Sequence, residues 1–94
     1  MNGAIWKYPV EATDSFLVEM PIGARILSVQ VQRDEVCMWA LVDPNAPTEG
    51  RRFNVYGTGH PIRRDPGEFV GTFQLRGGAL VFHLFAERAA LVSR

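Results

Sequence analysis

Apolar and polar side chains alternate through this chain almost from end to end, at the period of two that a half-buried strand imposes. Ile5-Trp6-Lys7-Tyr8 reads as a short strand stopped by Pro9, Glu11 to Ser15 as a polar connection, and Phe16 to Met20 as a second strand. Pro21-Ile22-Gly23 then reads as a turn. Leu27, Val29 and Val31 alternate with Ser28, Gln30 and Gln32, Arg33-Asp34-Glu35 reverses the chain, and Val36 to Val42 returns. A two-residue loop at Arg33-Asp34 pairs Val31 with Val36, Val29 with Met38 and Leu27 with Ala40, apolar against apolar at each step. The opposite face carries Gln30 with Cys37 and Ser28 with Trp39.

Asp43 to Gly50, with two prolines and no apolar anchor beyond alanine, reads as an eight-residue loop. Arg52 to Tyr56 is a fifth strand burying Phe53 and Val55, and a connection over Gly57 to Gly67 follows. Phe69 to Leu75 and Ala79 to Phe85 flank Gly77-Gly78, which suits the positive φ of a tight hairpin turn. That register pairs Leu75 with Leu80, Phe73 with Phe82 and Gly71 with Leu84 on a core face. Its other face pairs Gln74 with Val81, Thr72 with His83 and Val70 with Phe85, a mixed surface too apolar to leave in water. The expected fold is all-β: one small antiparallel domain of about seven short strands, a sandwich or partly open barrel, with little or no helix. Its core spans residues 4–86, and residues 87–94 form a loose tail or a helical turn.

Composition narrows the function classes more than it names one. Ninety-four residues make a single domain, and 47% hydrophobic residues supply ample core, so disorder is excluded. Ten basic and ten acidic side chains cancel, which removes the electrostatic footprint of a general nucleic-acid binder. Cys37 is the only cysteine, in the apolar run Val36 to Val42, so neither an intrachain disulfide nor a cysteine metal cage is available. No apolar run approaches the length of a membrane span and no signal-peptide pattern opens the chain, giving the expectation of a soluble cytoplasmic protein without a membrane partner.

Charge is unevenly placed, however. From residue 51 to residue 64 there are four arginines, Arg51, Arg52, Arg63 and Arg64, and no acidic side chain. They flank Tyr56-Gly57-Thr58-Gly59-His60-Pro61-Ile62, a poor strand and a poor helix, suited to an ordered loop whose backbone N–H groups face a ligand. Thr58 adds a hydroxyl and arginine forks match phosphate or carboxylate oxygens. The segment lacks the lysine and following helix of a phosphate-binding loop, and a purely structural loop with one backbone bond to His60 fits the same residues.

Five segments taken together carry a resemblance: Ile5-Trp6-Lys7-Tyr8-Pro9; Met20-Pro21-Ile22-Gly23-Ala24 with Ile26-Leu27-Ser28-Val29-Gln30; Trp39-Ala40-Leu41-Val42-Asp43-Pro44; Tyr56 to Ile62; and Gly71-Thr72-Phe73-Gln74-Leu75. In that order they resemble a family of short, largely uncharacterised proteins encoded in bacteriophage and prophage genomes, over nearly the whole chain. The resemblance implies an accessory protein acting in an infected bacterial cytoplasm, with a counter-defence role and no assigned enzymatic activity.

These readings converge on a non-enzymatic binding protein, expected as a homo-oligomer. The candidate ligand site is Arg51, Arg52, Tyr56, Gly57, Thr58, Gly59, His60, Arg63 and Arg64, taking a small anionic, nucleotide-like ligand. Alternatively the same arginines meet an acidic patch on a host protein, or His60 serves as the base of a small hydrolase. The candidate oligomer interface is Val70, Thr72, Val81, His83 and Phe85. No cofactor is expected. His60 and His83 would need Asp65 or Asp43 brought close to hold a metal, and nothing in the spacing requires it. Trp6, Trp39 and Tyr8 are stacking candidates that strand context assigns to the core.

Overall fold

A computed structural model describes residues 3–11 and 13–88. It contains β1 (Ala4–Pro9), β2 (Ser15–Pro21), β3 (Arg25–Gln32), β4 (Glu35–Val42), β5 (Thr48–Gly57), β6 (Glu68–Leu75) and β7 (Leu80–Ala86), with one 3-10 turn at Arg76–Gly78. Two open antiparallel sheets form, one ordered β1-β4-β3 and the other β2-β5-β7-β6. The all-β expectation holds, and two separate sheets make the domain a sandwich rather than a barrel.

Each sheet sends alternate residues inward. Val29, Met38, Ala40 and Val42 from one meet Phe16, Met20, Phe53, Phe73 and Leu84 from the other in a single buried cluster. Along one side the sheets close where β3 runs beside β6. Gly71 permits that approach, because a side chain there would place its Cβ 2.8 Å from Val29 Cγ1.

The β3–β4 hairpin pairs Val31 with Val36, Gln30 with Cys37, Val29 with Met38 and Ser28 with Trp39, as the alternation predicts. Leu27 does not pair with Ala40: Ile26 takes that place and Leu27 is the extra residue of a bulge, 42% exposed. The same happens on β6. Leu75, Phe73 and Gly71 pair with Leu80, Phe82 and Leu84, but Phe69 rather than Val70 lies opposite Phe85. Val70 is bulged and packs against the core.

Two element boundaries and the burial of one aromatic also differ from the sequence reading. Thr48, Glu49 and Gly50 belong to β5 and pair with Pro21, Met20 and Glu19, so the preceding loop is only Asp43 to Pro47. Asp43 Oδ1 tightens that loop by accepting from the Asn45 N–H at 3.0 Å. The β6–β7 turn is also longer than Gly77-Gly78, since Arg76 is already out of the strand with φ of 52°. Trp6, expected in the core, lies on edge strand β1 and is 40% exposed. The tail expected at 87–94 is seen only as far as Arg88, and its remainder lies outside the described residues. No helix among the described residues is long and apolar enough to cross a membrane.

Candidate functional site

β5 and β6 are both antiparallel to β7, which lies between them, so they run in the same direction. The connection from Gly57 to Gly67 must therefore return along the sheet, and the inner face is occupied by the core. Asn54 records its path. Phe53 on one side of it is in the core and Val55 on the other packs against the core, so strand alternation turns Asn54 outward; yet it is only 3% exposed. Its Nδ2 donates to the Pro66 carbonyl at 3.3 Å and to Glu87 Oε2 at 3.4 Å, tying the end of the loop to the outer face. A buried amide needs such partners.

Both ends of the loop depend on glycine. The His60 N–H donates to the Gly57 carbonyl at 3.0 Å, and the imidazole folds back so closely that a Cβ on Gly57 would lie 2.8 Å from its Cε1. Gly67 has φ of 100°, and a side chain there would collide with the Ala86 carbonyl. Between them, Asp65 Oδ1 accepts from the Gly67 N–H at 3.0 Å and its carboxylate pairs with Arg88 at 2.7 Å. The Gly67 N–H, then the Arg88 guanidinium, hold the Asp65 carboxyl below its ordinary range.

A pocket of about 280 Å³ lies where this loop folds against the start of β2 and the end of β5. Asp14, Ser15, Asn54, Val55, Tyr56, His60, Pro61 and Arg64 line it. Neither the His60 ring nor the Arg64 guanidinium has a hydrogen-bond or ion-pair partner among the described residues. Arg52 borders the pocket indirectly, donating to Ser15 Oγ at 2.9 Å. The chemistry is that of a polar recognition site: a guanidinium and an imidazole for an anion, a carboxylate for hydroxyls or amines, and an aromatic ring.

The nine residues of the predicted site are only partly brought together. Tyr56, His60 and Arg64 share the pocket, with Gly57 beneath the imidazole. Arg51 and Arg52, adjacent in sequence, point to opposite faces of β5. Arg51 reaches the turn between β2 and β3, donating to the Ala24 carbonyl at 3.0 Å, and is spent on structure. Gly59 has φ of 86° with open space around it, so it serves the turn. Arg63 is exposed on the loop. Thr58 faces away from the pocket: its Oγ1 lies 2.8 Å from His83 Nε2, while His83 Nδ1 lies 2.9 Å from Thr72 Oγ1. Two hydroxyls thus occupy both imidazole nitrogens, which makes His83 an anchor for the loop rather than a free base. Ser15 and Asn54 were not read from the sequence as site residues, because only the long-range pairing of β2 with β5 and the path of the loop bring them there.

Of the predicted interface, Thr72, Val81 and His83 stand with Phe85 on the outer face of the four-stranded sheet, whereas Val70 leaves it at the bulge. Phe69 takes its place, 60% exposed, with its ring 5.5 Å from that of Phe85, which in turn meets Tyr56 at 5.8 Å. Among the described residues no cluster of three or more metal-ligating side chains occurs.

A family model described as "Domain of unknown function (DUF7352)" matches residues 1–93, and the chain belongs to that family. No curated protein and no solved structure matches it.

Proposed function

We propose that this protein is a non-enzymatic binding protein that captures a small anionic, nucleotide-like ligand in the pocket between the Gly57–Gly67 loop and β5. The observation that carries this reading is the pairing of an imidazole, His60, with a guanidinium, Arg64, both without a partner among the described residues, beside Tyr56 in one pocket. In this reading Arg64 forks onto phosphate oxygens, His60 donates to the same group, Tyr56 receives the base, and Asp14 takes sugar hydroxyls or an exocyclic amine. The resemblance to phage-encoded proteins favours a setting in an infected bacterial cytoplasm, where sequestering a host nucleotide signal would serve counter-defence. The reading also has the protein act as a homo-oligomer through the outer aromatic strip, which is supported by the exposure of Phe69.

A second reading uses the same cations against an acidic patch on a host protein, and is favoured by Ile62, 46% exposed between His60 and Arg63. Native mass spectrometry of the protein purified from bacteria separates them. The first reading expects a bound nucleotide mass that is absent from Arg64→Glu, together with the oligomer mass. No small-molecule mass, and no heat on titration with nucleoside mono- or diphosphates, would overturn it.

A further inference from the structure

The two sheets do not close at the end where the hairpins turn. Residues deep in the sandwich are fully buried, among them Met38, Ala40, Val42, Phe53 and Leu84. At the hairpin end the inward-facing Val36, Val55, Leu75 and Phe82 are only half-buried, and Leu80 and Val31 are each 38% exposed. Between the sheets there lies an apolar slot of about 320 Å³, whose walls include Val36, Val55, Phe73, Leu75, Leu80 and Phe82. Native sandwiches close such gaps with interdigitating side chains, so an open apolar slot of this size leaves room for a ligand between the sheets.

Charged side chains join the apolar lining: Glu11 and Asp14 from the β1–β2 connection and Arg76 from the β6–β7 turn. None of these three side chains has a hydrogen-bond or ion-pair partner among the described residues. Arg76 itself has a positive φ of 52°, a conformation uncommon for a non-glycine residue. Such a conformation persists where the surrounding structure or function holds it.

We infer that this slot binds a small zwitterion of the apolar amino-acid type, its side chain between the sheets, its ammonium at Glu11 and Asp14 and its carboxylate at Arg76. This site is separate from the anion pocket, although Asp14 and Val55 border both. The test therefore leaves Asp14 unchanged. Three probes of one shape are titrated into labelled protein by NMR: phenylalanine with both charges, phenethylamine with the ammonium alone, and 3-phenylpropionate with the carboxylate alone. Phenylalanine should shift Val36, Leu80 and Phe82 and bind about tenfold or more tightly than either half-charged probe. Glu11→Gln should erase its advantage over 3-phenylpropionate, and Arg76→Gly its advantage over phenethylamine. Glycine suits the positive φ at that position, so the second variant should fold. Leu80→Trp, filling the mouth from an already exposed position, should abolish binding of all three. No shift at these residues, or equal binding of the three probes unaffected by Glu11→Gln and Arg76→Gly, would overturn the assignment. Loss of nucleotide binding in Arg64→Glu without loss of phenylalanine binding keeps the two sites distinct.

Discussion

Two phenylalanines of the same core should differ in what their removal costs. Phe53 is fully buried and stacks on Phe16 with ring centroids 5.5 Å apart; Phe73 is 7% exposed and lies 5.6 Å from Phe82. Each truncation to alanine loses the same transfer free energy and one aromatic pair, the latter contributing about 0.5–1.5 kcal/mol. What differs is the hole left behind. Phe53→Ala makes a closed cavity in the middle of the sandwich, while Phe73→Ala enlarges a slot already open to water. Phenylalanine-to-alanine changes span about 3–5 kcal/mol, and the spread reflects how far the site relaxes. Phe53→Ala should fall near the upper end and Phe73→Ala near the lower. Urea unfolding followed by Trp6 and Trp39 fluorescence gives both numbers. A small domain has only about 5 kcal/mol or slightly more in total, so Phe53→Leu and Phe73→Leu serve as milder copies if the alanine variants do not fold. Equal costs, or a larger one for Phe73, would refute the open-ended sandwich.

Gly57→Ala should displace the His60 ring, weakening anion binding by on the order of tenfold with little change in the melting midpoint; isothermal calorimetry and thermal unfolding check the two halves. Arg33→Asn with Asp34→Gly supplies residues that tolerate both positive φ angles of the β3–β4 turn, and should stabilise by roughly 1 kcal/mol in urea unfolding. Burial raises the Tyr8 phenol above its ordinary value, and its buried hydroxyl has no hydrogen-bond partner among the described residues. A raised acid pKa means the folded state holds its proton longer. The contribution is therefore complete below the ordinary tyrosine pKa near 10 and declines as pH rises through the folded value. Spectrophotometric titration of the wild type against Tyr8→Phe should show one tyrosine ionising late. The depressed Asp65 carboxyl has the opposite sign: its contribution is present above the ordinary carboxylate range and lost as pH falls through the folded value, and Asp65→Asn should remove that part of the acid dependence.

Strand parity was legible because alternation is a local signal: one residue of slippage would have turned Val29 and Met38, or Phe73 and Phe82, outward. The bulges were not legible. Ile26-Leu27 and Phe69-Val70 are adjacent apolar pairs, and either member satisfies the pattern, so only the opposing strand decides which one is extra. The loop was recognised from its glycines, and His60 and Arg64 do line one pocket with Tyr56. The arginine count along the chain misled because neighbours on a strand face opposite ways, which sends Arg51 to Ala24 and leaves Arg52 beside Ser15. Asn54 bonded to Pro66, and Asp65 paired with Arg88 rather than with a site arginine, are contacts across 12 and 23 residues that no local pattern encodes.

The binding claim is tested most directly by chemical-shift mapping of labelled protein with a nucleoside monophosphate and with the nucleoside alone. The account predicts that the phosphorylated probe moves Tyr56, Gly57, His60 and Arg64 together and saturably. The nucleoside should bind about tenfold or more weakly, and Arg64→Glu should erase that difference. Shifts centred anywhere else on the fold, or equal affinity with and without the phosphate, would contradict it.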